Sequence, residues 1–176
     1  MKKKNILELS RLSTDQYQHV EKLPFVIVLD NIRSLNNIGS VFRTSDAFLV
    51  SEIYLCGITA TPPHPDIHKT ALGAEESVKW SYSESTIEVV DKLHKEGYVV
   101  YAIEQVNDSI SLENIELDRN KKYALILGNE VKGVQQEVVN KCDGYIEIPQ
   151  YGTKHSLNVS VTAGLVIWDF FKQLHD

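Results

Sequence analysis

The sequence predicts an α/β domain built on a mainly parallel sheet with helices on both faces. Four runs carry that expectation: "PFVIVLD" at 24–30, "EIYLCG" at 52–57, "YVVYAIE" at 98–104 and "YALILG" at 123–128. None alternates with polar residues, which is the pattern of strands covered on both sides. Segments with helical spacing fall between and after them, as the crossovers of a parallel sheet require. With 176 residues, 43% hydrophobic and 24% charged, the chain has the size and balance of one domain, 1–176.

A polar leader over residues 1–23, with helical character, precedes the first strand. The segment "NNIGSVFRTSDAF" at 36–48 places Ile38, Val41 and Phe42 at helical spacing, with Ser45 in the same stripe. Arg43 then lies on the opposite face with Gly39 and Ala47, the two smallest side chains of the segment. Residues 59–73, "TATPPHPDIHKTALG", read as a long loop. His64 and His68 have metal-ligand spacing only on a helix, which the surrounding prolines argue against, so no metal site is expected. Residues 85–96 start with Ser85 and Glu88 at capping-box spacing and end before Gly97. A polar loop follows at 105–121. Residues 134–142 read as a short helix, "GYIEIP" at 144–149 as a strand near an edge, and 156–174 as a long last helix. In that helix "VTAGLVIWDFFKQL" is apolar nearly all round, more than one core face needs, so a partner surface is expected there.

Several function classes drop out. The net charge of −6 argues against a protein that coats nucleic acid non-specifically, though a local basic patch remains open. No apolar run approaches the roughly 20 residues that span a bilayer, and no signal-peptide pattern follows "MKKK". Cys56 and Cys142 stand alone, as reduced thiols in a cytoplasmic setting do. Neither a P-loop nor a Rossmann glycine pattern follows any strand.

The chemistry belongs at the strand ends, where ligands of α/β sheets bind. Asp30 and Asn31 close the first strand and lead to Asn37 and Arg43, "LGNEVKGV" at 127–134 brings a Gly turn and Glu130 after "YALIL", and "IPQYGTKHSLNVSV" at 148–161 runs from the last strand into the last helix. Each has an ordinary reading. Asn37 could cap a helix, and Arg43 and Glu130 could be solvated. Gly128 and Gly133 could be turn glycines, and Ser156 and Asn158 helix-start residues.

Their order is more specific. Asn-x-Gly-x-x-x-Arg, then Gly-Asn-Glu-x-x-Gly, then Ile-Pro with Ser-Leu-Asn-Val-Ser-Val ahead of an apolar helix resembles the SpoU (TrmH-like) RNA ribose methyltransferases of the SPOUT superfamily. The resemblance covers residue 24 to the end. It implies an α/β sheet whose C-terminal part, 123–165, is tied in a deep trefoil knot, a rare exception to unknotted topology. It also implies S-adenosylmethionine as cofactor, lined by Gly128, Ile148 and Leu157 mostly through backbone groups. Asn37, Arg43, Glu130, Ser156 and Asn158 match catalytic and site-shaping positions. Family members work as homodimers on tRNA or rRNA, each pocket completed across the interface.

By the same resemblance, Arg43 would handle the proton of a ribose 2′-hydroxyl, with small neighbours Gly39 and Ala47 leaving room for a phosphodiester. A guanidinium is a poor base, so two routes stay open. The substrate phosphate takes Arg43's proton first, or Arg43 stays charged and stabilises the alkoxide. His155 is a rival base. Lys2, Lys3, Lys4, Arg33, Lys69, Lys132 and Lys154 are candidate phosphate contacts. The competing function class is a SPOUT-fold RNA-binding or assembly module without turnover.

Overall fold

In a computed structural model, which describes residues 1, 3–5 and 11–175, the chain forms seven strands in one sheet. Lys2 and part of the leader lie outside the described residues. The strands are β1 Leu23–Asp30, β2 Val50–Cys56, β3 Trp80–Ser83, β4 Tyr98–Ile103, β5 Ile110–Ser111, β6 Lys122–Gly128 and β7 Gly144–Glu147. All pairings are parallel, in the order β3-β2-β1-β6-β4-β7-β5. The expected knot region falls where strand order and chain order part company: β6 enters between β1 and β4, and β7 lies beyond β4.

The unbroken apolar runs follow from burial on both faces. Along β1, Phe25, Ile27 and Leu29 enter one core, with α2 (Leu35–Ala47), α3 (Pro65–Ala71) and α7 (Val159–Leu174) above them. Val26 and Val28 enter the opposite core, beneath α5 (Thr86–Lys95) and α6 (Gln136–Val139). The leader contributes α1 (Thr14–His19), capped by a reciprocal Ser13–Gln16 box. The β7 strand sits one place from the edge, with two-residue β5 outside it.

The structure corrects three of the sequence expectations. The stretch 59–73 is not a continuous loop, because Pro65 occupies the first turn of α3, where no N–H is needed, and His64 caps it through Nδ1 to Asp66 N at 3.1 Å. His68 pairs with Glu75 at 2.5 Å, and α4 (Ala74–Ser77) follows. The β3 strand, missed in sequence, is a four-residue strand at the far edge. Finally, Gly39 is buried, not open. A Cβ there would lie 2.1 Å from Thr70 Oγ1 and 2.2 Å from the Ile67 carbonyl, so the glycine admits α3 rather than a phosphodiester.

Candidate functional site

The sheet order brings the carboxyl ends of β4, β6 and β7 together, and the turns beyond them enclose a cavity of about 510 Å³. Gly128, Glu130, Ile148, His155, Ser156, Leu157 and Asn158 all line it, although up to 30 residues separate them in sequence. Glu104 and Gln105 from the end of β4 complete one wall. Residues 151–158 are exposed, so the wall they form faces solvent on its outer side.

Three of the expected site residues form one hydrogen-bonded chain. Ser34, not Asn37, is the N-cap of α2, accepting from Asn37 N at 3.3 Å. With its backbone satisfied, the Asn37 side chain is free to bridge. Its Nδ2 donates to Glu130 at 3.1 Å, and its Oδ1 accepts from Asn158 Nδ2 at 3.2 Å. Asn158 caps α7 at the same time, its Oδ1 accepting from Ser160 N at 2.8 Å and from Val161 N at 3.4 Å. Glu130 accepts further from the backbone N–H groups of Arg33 and Ser34, each at 2.9 Å. The chain therefore locks the start of α2, the β6 turn and the start of α7 in one arrangement. Burial alone would raise the Glu130 carboxyl, but the donors from Arg33, Ser34 and Asn37 outweigh it and hold the pKa below the ordinary glutamate value.

Gly128 marks a close approach, though to protein. A Cβ at this position would come 2.1 Å from Val134 N and 2.2 Å from the Gly133 carbonyl carbon. The approach is made by the tight turn that Asn129 and Gly133 close with two backbone hydrogen bonds of 3.0 and 2.8 Å. Asn129 Oδ1 accepts from Val131 N and Lys132 N inside that turn, and its Nδ2 donates to the Asn31 carbonyl at 2.7 Å. A valine at 128 would therefore disturb this turn as well as the cavity.

Arg43 stands apart from the rest. It is exposed on α2, outside the cavity lining, and among the described residues it makes no hydrogen bond or ion pair. Ser156 lines the cavity without joining the hydrogen-bonded chain. Burial pushes the thiols of Cys56 and Cys142 up to about 12, which leaves neither as a nucleophile near neutral pH. Among the described residues no cluster of His, Cys, Asp and Glu could hold a metal ion, and no helix is long and apolar enough to cross a membrane.

Sequence reasoning places Asp30 at the end of the first strand without giving it a role, and passes over Glu104, which the strand-end rule also reaches. Asp30 closes β1 fully buried, accepting from Thr86 Oγ1 at 2.6 Å and from Gln135 Nε2 at 2.8 Å and N at 2.9 Å. It ties β1 to the starts of α5 and α6, away from the cavity lining. Glu104, at the end of β4, does line the cavity and is held by Gln105 N and Val134 N.

Comparison with known proteins agrees with this architecture. The profile of the SpoU rRNA Methylase family matches residues 24–168. A protein of Staphylococcus aureus assigned to the TrmH family of tRNA/rRNA methyltransferases is 32% identical over 161 residues, 92% of this chain. The chain spans 64% of that relative's length. The structure of an AdoMet-bound rRNA methyltransferase from Sinorhizobium meliloti superposes with a TM-score of 0.80 at 24% identity, covering 91% of this chain and 61% of the other. A structure describing 2-OH methylation of C/U34 on tRNA gives 0.75 at 23% identity, over 85% and 95% of the respective chains. These two share the fold. With three spaced motifs converging on one set of strand ends and the family profile running from β1 into α7, the chain belongs to the SpoU methylase family.

Proposed function

We propose that this chain is an S-adenosylmethionine-dependent methyltransferase acting on a ribose 2′-hydroxyl of RNA, with tRNA its substrate rather than rRNA. The observation that carries the reading is the hydrogen-bonded chain Asn158–Asn37–Glu130 set beside the strand-end cavity. The volume of about 510 Å³ lies in the ordinary range for a cofactor-sized ligand. Ile148 and Leu157 offer apolar contact there, and the 128–133 turn offers backbone groups, which suits a ligand with apolar and polar parts. Support also comes from the AdoMet-bound structural neighbour and, for tRNA, from the neighbour described for 2-OH methylation of C/U34 on tRNA.

When bound, S-adenosylmethionine supplies a methyl group already activated by a positively charged sulfur. The protein's own tasks are then alignment and management of the hydroxyl proton. Asn37, Glu130 and Asn158 fix the cavity wall, and Ser156 lies in its lining. Arg43 lies outside the lining, so in this reading it serves the cavity of a second copy. There it holds the phosphate beside the reacting ribose, and the proton leaves either through that phosphate-linked guanidine or to His155.

A homodimer follows from the same reading. Val161, Leu165 and Trp168, one face of α7, are exposed at 52, 42 and 49%, and an apolar stripe of that size calls for a cover. Exposed Lys3, Lys4, Arg33, Lys69, Lys132 and Lys154 would meet RNA phosphates, Lys132 at the cavity itself.

The test is methyl transfer from labelled cofactor to unmodified tRNA and rRNA fractions, followed by nucleoside mass spectrometry. A 2′-O-methylated nucleoside from tRNA is the expected product. A methylated base, or methyl incorporation in rRNA alone, would overturn the substrate assignment. No incorporation in either fraction would leave the non-catalytic RNA-binding module as the better account.

A further inference from the structure

Three carboxylates line the strand-end cavity, and they are not equivalent. Glu130 accepts three donors and is committed to the start of α2. Glu147 has no side-chain hydrogen bond among the described residues and is free to turn. Glu104 is intermediate and differently built. Its Oε1 accepts from Gln105 N at 3.1 Å, and its Oε2 accepts from Val134 N at 3.0 Å. One backbone donor on each oxygen fixes the plane of the group. A carboxylate has about four acceptor sites, so each oxygen keeps capacity for one more donor. The group also sits where only glycine allows it: a Cβ on Gly133 would lie 2.2 Å from Glu104 Oε2, and Gly133 has a φ of +69°.

We propose that Glu104 is the specificity residue for the sugar of the cofactor, receiving its two adjacent hydroxyls, one on each carboxylate oxygen. This rests on the cofactor reading above. The chemistry is a match of donors to acceptors. A rigid carboxylate with one open site per oxygen fits a pair of neighbouring O–H donors, and a ribose diol supplies that pair. An acidic residue at a strand end takes a ribose hydroxyl in dinucleotide folds for the same reason. The nearby turn contributes backbone groups and Ile148 and Leu157 contribute apolar surface, so Glu104 gives the cavity a fixed acceptor pair that they do not.

The experiment is calorimetry with three probes: S-adenosylhomocysteine, its 2′-deoxy analogue, and 5′-methylthioadenosine, which keeps the ribose but lacks the amino-acid end. The unaltered chain should bind the deoxy analogue at least about tenfold more weakly than the parent, the usual effect of losing a hydrogen bond to a charged group. Glu104→Ala should weaken S-adenosylhomocysteine and 5′-methylthioadenosine by similar factors and the deoxy analogue, which keeps only the 3′-hydroxyl, by a smaller one, which erases the discrimination. Glu104→Gln keeps one acceptor oxygen and should fall between, and thermal midpoints without ligand show that both variants fold. Equal weakening of all three probes would mean that Glu104 only packs the turn, and would overturn the assignment. So would a loss confined to S-adenosylhomocysteine and its deoxy analogue with 5′-methylthioadenosine spared, which would place the carboxylate at the amino-acid end. Failure of the unaltered chain to bind S-adenosylhomocysteine would overturn the cofactor reading, and this assignment with it. Binding that persists with discrimination unchanged in Glu104→Ala would overturn this assignment alone.

Discussion

Glu130 and Arg43 show how far a residue's role depends on what surrounds it. Glu130 is a turn carboxylate whose three donors come from one helix start about a hundred positions earlier. Its depressed pKa has a stability consequence with a definite sign. The folded protein binds this proton less readily than the unfolded chain does, so the contribution is fully present above the ordinary value of 4.5 and is lost as the pH falls below it. Glu130→Gln should therefore lower the thermal midpoint at pH 7, by an amount equivalent to about 1–2 kcal/mol for weakened hydrogen bonds to a charged acceptor. The gap between variant and parent should close as both are melted toward pH 3. A gap independent of pH would show that the charge is not what matters. Arg43 is the opposite case, exposed and unpartnered among the described residues. Arg43→Ala should change stability by no more than about half a kcal/mol and leave cofactor affinity intact. Methyl transfer should fall at least about a hundredfold, and Arg43→Lys should restore little, because lysine lacks the planar fork. Near-normal transfer by Arg43→Ala would return this side chain to the solvated surface and move the test to His155.

At the level of elements, helix α2 explains why some of the chain was legible in sequence and some was not. Its buried stripe of Ile38, Val41, Phe42 and Ser45 could be read from spacing, because one core face imposes a helical period. The role of Gly39 could not, since the partner that needs its missing side chain is α3, a helix hidden behind prolines. Pro65 starts that helix where sequence rules read only interruption. The same limit applies to β3: four residues at a sheet edge, half-covered, leave little periodic signal. Intrinsic propensity says that Gly39→Ala should stabilise the α2 helix by about 1 kcal/mol. Contact says otherwise, because the new methyl would meet the Ile67 carbonyl at 2.2 Å. Gly39→Ala should instead destabilise by about 1–3 kcal/mol, the usual cost of overpacking, read as a lower midpoint in chemical denaturation. A stabilised variant would mean that α3 is held loosely enough to move aside.

Across the whole molecule, the strands covered on both faces were the most legible part, because each of β1, β2, β4 and β6 feeds two cores and must be apolar throughout. The convergence of distant strand ends was legible only through the resemblance, since no local pattern ties Asn37 to a carboxylate 93 positions later. The last helix lies between these cases. Phe170 is fully buried against Phe25 and Tyr123, while Phe171 and Trp168 gather with Phe48 on the outer side. A helix that fills one core and still exposes Val161, Leu165 and Trp168 has more apolar surface than the single chain uses. Light scattering should therefore give a mass twice the 19.9 kDa of one chain at micromolar concentration. Leu165→Glu would place a charge in the middle of that stripe, where a partner would have to bury it unpaired. The exposed position predicts little loss of stability in the isolated chain, so the variant should run as a folded monomer. Its cavity is built from its own turns, so binding of S-adenosylhomocysteine should survive. Methyl transfer should fall at least about a hundredfold, because Arg43 no longer reaches a second copy's cavity. A monomeric variant with full transfer would show that each chain works alone, and a dimeric one would move the interface away from α7.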